Sequence, residues 1–254
     1  MTHSIDWARI ADLYDTYVRS DFDIPFFVSE TGTVRGEVLE LMSGTGRMSI
    51  PLIKAGVKLT CVDASAEMLA ILRAKLKEQN LCASVHHVDV RELDLGRTFD
   101  LIFIPFHSFA ELPTAADQRK ALDAVQRHLT AGGRFICTLH NPRTRLKRVD
   151  SQLRLWGNYE RQNGAGTLLF WGLEHLDSDP HSVSGLELFE EYDPAGILQS
   201  KRMVELHYRV VEKREFEDLA AAAGLQQEAL FGDYQRAEFQ EESSPFMIWI
   251  LRKP

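Results

Sequence analysis

The chain has 254 residues, 44% of them hydrophobic, and a formal net charge of -8 at pH 7. This is enough for one substantial α/β core and one main domain, while the acidic balance argues against a nucleic-acid partner, which needs clustered Lys and Arg. The first residues carry Asp6, Asp12 and Asp15 with no long apolar run, so neither a signal peptide nor a membrane span is expected there.

The segment from Ile5 to Val18 reads as an amphipathic helix with Ile10, Leu13, Tyr14 and Tyr17 on one side. Next comes the stretch Val38 to Arg47, VLELMSGTGR, an apolar strand that ends in an acid and runs into Gly44-Thr45-Gly46. The Gly44-Thr45-Gly46 turn suits close approach of backbone to a nucleotide-like ligand, because glycine has no Cβ to hold the ligand away. A helix from about Met48 to Ala55 stops at Gly56, and Val57 to Val62 forms a second buried strand closing on Asp63. A carboxylate at that strand tip, roughly 20 residues after the turn, is placed to bind the hydroxyls of an adenosine ribose.

Ser65 is the expected N-cap of a helix over Ala64 to Gln79, with Met68, Leu69, Leu72 and Leu76 on its apolar side. Asp89 follows the third strand, Ala83 to Val88, where it can accept from the amine of adenine. Ser49 stands where a dinucleotide fingerprint wants Gly or Ala, and together with Asp89 it disfavours a nicotinamide cofactor. Helix Ala115 to Leu129 leads through Gly132-Gly133 into the strand Arg134 to Leu139. Cys61 and Cys137 fall within apolar strands, and three cysteines cannot all pair, so a reducing, cytoplasmic setting is expected.

These residues resemble the class I S-adenosylmethionine-dependent methyltransferases over nearly the whole chain. Glu40, Gly44 and Gly46 match that family's first motif, Asp63 its ribose acid and Asp89 its adenine-side acid. Leu101 to Pro105 matches its fourth strand, and Leu129 to Asn141 its fifth with the preceding turn. Met42 and Ser43 depart from the glycine and small residue often found there. The resemblance implies a Rossmann-like α/β fold, a mostly parallel seven-stranded sheet with helices on both faces, and S-adenosylmethionine as cofactor. It extends the expected cofactor wall to Met42, Ala64, Met68, Val90, Ile104 and Phe106. It also implies an N-terminal helix that covers the cofactor with Tyr14 or Tyr17, and a small-molecule acceptor, with nitrogen favoured over oxygen.

Between the fifth strand and the last helix the pattern changes. Leu153 to Arg161, Thr167 to Leu176, Ser182 to Asp193 and Ile197 to Val211 read as antiparallel strands, separated by Asn163-Gly164, Asp179-Pro180 and Asp193-Pro194-Ala195-Gly196. The main domain is thus expected over 1–142 and 212–254, with cap helix 5–18 and an insertion over 143–211 that serves as a substrate lid or as the surface of a homodimer. The basic run Arg143 to Arg148 reads as a solvated connection. Strand-helix order resumes with helix Lys213 to Ala223 and strands Gln227 to Phe231 and Phe246 to Arg252.

His107 and His140 follow the fourth and fifth strands and are the candidate bases, because histidine titrates near neutrality. Tyr17, Asn141 and Trp171 are candidate acceptor contacts, and Glu111 is a further candidate base, expected to be solvated at a helix start. No clustered Cys and His spacing suggests a metal. A protein that binds S-adenosylmethionine without methylating anything is the rival reading.

Overall fold

The structure, a computed structural model, describes residues 5–161 and 164–254. Seven strands form the main sheet: β1 (Val38–Leu41), β2 (Leu59–Asp63), β3 (Ser84–His87), β4 (Phe99–Ile104), β5 (Leu129–His140), β10 (Gln226–Phe231) and β11 (Phe246–Arg252). Their spatial order is β10-β11-β5-β4-β1-β2-β3. All neighbours run parallel except β11, which is antiparallel to both β5 and β10. The order reverses between β1 and β4, and open α/β sheets bind ligands at such a switch point, beyond the carboxyl ends of the strands.

Apolar runs, not alternation, specify these central strands, since both faces are covered. Helices α5 (Ala115–His128) and α7 (Lys213–Ala222) cover one face over Phe99, Phe135 and Trp249. On the other face lie α2 (Ile24–Gly32), α3 (Ser49–Lys54) and α4 (Ala66–Glu78), over Leu101, Phe103 and Ile248. Each such fully buried side chain contributes about 1.5 to 3 kcal/mol of transfer free energy. Ser65 caps α4, its hydroxyl accepting from the Met68 N–H at 3.2 Å.

Helix α2 is an addition to the sequence reading. It opens with Pro25 in the first turn, where the missing N–H costs nothing, and buries Phe26 and Phe27. The expected helix over Ile5 to Val18 is shorter and broken: a 3₁₀ turn (Trp7–Arg9) precedes α1 (Ala11–Tyr17).

After β5 the short α6 (Pro142–Arg145) and a 3₁₀ turn lead into β6 (Arg154–Glu160), β7 (Thr167–Leu176), β8 (Ser182–Tyr192) and β9 (Leu198–Arg209). These strands make a separate antiparallel sheet in the order β6-β7-β8-β9. Asn163, half of an expected turn, lies outside the described residues. The basic run differs from the expected solvated connection, because Arg145 is drawn inward to pair with the buried Glu174. One face of the insertion sheet, carrying Leu168, Phe170, Phe189, Val204 and Leu206, packs on Ile5, Ile10, Leu13 and Tyr17 of the N-terminal segment. Arg202 of β9 clamps Asp12 of α1 at 2.6 and 2.8 Å. The N-terminal segment is thereby held between the insertion sheet and the strand tips.

Candidate active site

A cavity of about 650 Å³ opens at the tips of β1, β2 and β3, under the N-terminal segment. That volume is within the range of pockets that enclose small ligands, roughly 300 to 1,000 Å³. Asp63 ends β2 on its wall. One carboxylate oxygen accepts from the Gly44 N–H and the other from the Ser65 N–H, both at 2.8 Å. Burial raises the acid, and the backbone N–H bonds oppose that rise. A carboxylate offers about four acceptor positions, so two N–H groups orient Asp63 and leave capacity for two hydroxyls.

The two turn glycines do different things. Gly44 has φ +54°, and nothing stands within 4 Å of where a Cβ would be, so the cavity floor there is bare backbone. Gly46 has φ +86°, and its missing Cβ would lie 2.4 Å from Leu72 of α4. It permits helix packing and does not line the cavity. Asp15 of α1 reaches the same turn, accepting from the Thr45 hydroxyl at 2.7 Å and pairing with Lys75 at 2.6 Å.

Tyr14, Met42, Gly44, Asp63, Ala64, Met68, Asp89 and Val90 are all brought to this one cavity. Met42, at φ 58°, lines it from a left-handed backbone position. Asp89 accepts from the Arg91 N–H at 2.8 Å and from its guanidinium. Burial would raise that carboxyl, but the Arg91 bonds outweigh it and hold it below the usual range.

Glu40, Gly46, Ile104 and Phe106 do not line the cavity. Glu40, within β1, is buried and accepts from Ser49 at 2.5 Å; burial pushes its acid up to about 8. Ser49, a departure from the dinucleotide pattern, thus serves as Glu40's partner. Ile104 is in the core, and Phe106 is stacked under Arg47 at 4.2 Å.

The histidines lie elsewhere than the sequence suggests. His107 and His140 stack on one another with ring centroids 3.6 Å apart, beside Phe246 and off the cavity wall. Burial, then the neighbouring His140 and arginines, pushes His107 well below its ordinary value. Burial and Arg145 push His140 down to about 3. Both shifts run away from the neutral titration expected of these histidines. Asn141 is occupied structurally, donating to the Glu241 and Ser244 carbonyls at 2.8 Å and capping α6. Trp171 points to the other face of the insertion sheet, where its indole donates to Glu190 at 3.2 Å.

Glu111 corrects the expectation of a solvated side chain. It lines the cavity, accepts from the Trp7 indole N–H at 2.8 Å, and burial pushes its acid up to about 7. Trp7, missed in the sequence reading, stands edge-on to Tyr14 at 5.6 Å, and Tyr14 edge-on to Tyr17 at 5.6 Å. Tyr17 itself is turned into the insertion sheet. Among the described residues no helix is long and apolar enough to cross a membrane, and no group of three or more His, Cys, Asp or Glu is placed to hold a metal.

Residues 38–133 match a methyltransferase domain family. Over 252 residues the chain is 30% identical to a glycine/sarcosine N-methyltransferase of Parasynechococcus marenigrum, covering 97% of this chain and 81% of that one. It is also 30% identical over 133 residues to a dTDP-3-amino-3,6-dideoxy-alpha-D-glucopyranose N,N-dimethyltransferase of Streptomyces fradiae, about half of each chain. Among solved structures the CcbJ methyltransferase of Streptomyces caelestis superimposes with a TM-score of 0.82 at 22% identity, covering 100% of this chain and 99% of that one.

Proposed function

The chain belongs to the class I S-adenosylmethionine-dependent methyltransferases, and from that premise we propose that it methylates the nitrogen of a small-molecule amine, with Glu111 as the proton acceptor. Two relatives named for N-methylation support the nitrogen, one over nearly the whole chain and one over half of it. The observation that carries the reading is Glu111: a carboxylate with an acid strength near neutrality, on the wall of the cavity that Asp63 also lines.

Asp63 would hold the ribose of the cofactor, Gly44 would let it lie on bare backbone, and Met42 and Tyr14 would flank its methionine end. When bound, the sulfonium supplies an electrophilic methyl group, so the protein's work is alignment and proton removal. An amine arrives protonated near neutral pH. Glu111 takes one proton as the N–H bond breaks and an O–H bond forms at its carboxyl. The freed lone pair would then be available to bond the methyl carbon, with the carbon–sulfur bond breaking and its electrons staying on sulfur. Trp7 fixes the Glu111 carboxylate during this transfer, and the insertion sheet and N-terminal segment act as a roof that excludes water.

Glu111→Gln should cut turnover by a factor on the order of 10² to 10⁴ and leave S-adenosylhomocysteine affinity unchanged by calorimetry. In the wild type the rate should rise with pH through about 7, as Glu111 loses its proton, and that limb should vanish in the variant. What sets this acid is burial first, then the Trp7 indole, which opposes the rise, and the charge of Asp63, which adds to it. A limb retained in Glu111→Gln but lost in His107→Phe would return the role to the histidines. Faster methylation of hydroxyl counterparts than of amines would overturn the nitrogen assignment.

A further inference from the structure

The outer face of the insertion sheet carries a continuous apolar row. Leu155 of β6, Trp171 of β7, Leu188 of β8 and Met203 of β9 are in register from strand to strand, so their side chains leave the same side of the sheet. Trp171 and Leu188 are half-buried, while Leu155 and Met203 are 47% and 49% exposed. The next row adds Leu173 and Leu186, in register with each other. Among the described residues none of these six belongs to a core cluster or packs on one, whereas the N-terminal segment fills the opposite face. A contiguous apolar strip on a sheet that is already packed on its other side marks a contact surface.

The charges that flank the row decide what covers it. Lys201 and Glu205 lie two residues to either side of Met203 on β9, hence on the same face and about 7 Å from the row in opposite directions. In an isologous dimer the same patch meets itself across a two-fold axis. With that axis along the row, Lys201 of each copy stands against Glu205 of the other, Leu169 against Leu173, and each residue of the row against its own counterpart. An axis along the strands would instead set Lys201 over Asn158, which carries no charge. Glu190 needs nothing from a second copy, because it accepts from Trp171, Tyr192 and Lys201 at 3.2, 3.1 and 2.8 Å. Polar rows bound the patch, His175, Ser184 and His207 at one end and Thr167 and Tyr192 at the other, which gives it the apolar centre and polar rim of a protein interface. The four strands contribute 7, 10, 11 and 12 residues. At about 3.4 Å per residue and about 4.8 Å between strands they span roughly 650 Å², close to the roughly 800 Å² that each partner gives to a standard interface.

We propose that the chain forms a two-fold dimer through the outer face of the insertion sheet, with the Leu155 to Met203 row on the axis and reciprocal Lys201–Glu205 pairs beside it. The two expectations for the insertion, a lid and a homodimer surface, then fall on opposite faces of one sheet. The dimer does not depend on the acceptor being an amine.

Sedimentation velocity of the intact protein tests this, and the wild type should run as a dimer at micromolar concentration. Each row residue faces its own counterpart, so Met203→Glu or Leu188→Glu alone brings two carboxylates together and should weaken self-association by about 10²-fold or more. Lys201→Glu and Glu205→Lys should each weaken it about tenfold. An equimolar mixture of those two variants should recover wild-type association, since every flanking pair then joins opposite charges. All four variants should keep the wild-type affinity for S-adenosylhomocysteine by calorimetry, which reports an intact fold. A monomeric wild type overturns the dimer, and its co-sedimentation with phosphatidylglycerol vesicles would give the face to a membrane instead. Unchanged association in Met203→Glu and Leu188→Glu overturns the choice of face, and a mixture no better than its two components overturns the axis along the row.

Discussion

At the strand tips Asp63 has a backbone N–H on each oxygen, Asp89 is held by Arg91, and Asp15 by Thr45 and Lys75. Under the insertion sheet, the Glu187 Oε2 and the hydroxyls of Tyr17 and Tyr208 are buried with no partner among the described residues. The first wall is fully bonded in itself and presents spare acceptor capacity to a ligand that every member of the family shares. The second wall is left incomplete among the described residues. Pairing thus separates the cavity at the strand tips from the face of the insertion sheet.

The bonded wall should be the more brittle to backbone change. Gly46→Val places a β-branched residue at φ +86° with its Cβ against Leu72. Strain and overpacking each cost about 1 to 3 kcal/mol, so unfolding by denaturant should show a loss of about 2 to 4 kcal/mol. Gly44→Ala meets open space and should cost stability only about 1 to 2 kcal/mol, with its main effect on S-adenosylhomocysteine affinity. Equal stability losses in the two variants would contradict the division of labour between the glycines.

Removing the pre-oriented acid comes next in size. Asp63→Ala deletes a charged acceptor worth about 1.5 to 3 kcal/mol, so S-adenosylhomocysteine should bind about tenfold or more weakly by calorimetry, while the acceptor KM changes little. An unchanged cofactor affinity would mean that Asp63 serves only to tie Gly44 to Ser65.

The bonded wall was also the legible one. Gly44 and Asp63 were found because a glycine turn and an acid at the next strand tip are linked by a short βαβ unit, and local spacing fixes their geometry. Most strands of both sheets followed from apolar runs, alternation and turn residues. Helix α2 was missed because Phe26 and Phe27 follow Pro25 without a polar-apolar period. Glu111 was misread because its partner, Trp7, is 104 residues away in sequence. Trp171 falls on the outer face because alternation assigns neighbours to opposite faces but does not say which face is inward. The Leu168, Phe170 and Phe189 side is the inward one because the N-terminal segment packs there. His107 and His140 do follow strands, yet Phe106 and His107 at φ 55° and 65° turn the chain so that the two imidazoles meet each other.

The unbonded wall has a thermodynamic signature that sharpens the contrast. Glu187 and Glu40 are pushed up to about 8 and Glu111 to about 7, from an ordinary value of 4.5. Below about pH 4.5 folded and unfolded chains both hold these protons, and no penalty exists. Between there and about pH 8 the folded chain keeps protons that the unfolded chain releases, so stability falls as pH rises. Glu187→Gln mimics the protonated form. It should melt with the wild type near pH 4.5 and above it near pH 8, by a few degrees for each kcal/mol relieved. Glu111 is pushed up less far than Glu187, so glutamine there should relieve less. If the two proteins instead melt in parallel across this range, Glu187 has found a partner in the folded chain and the second wall is as complete as the first.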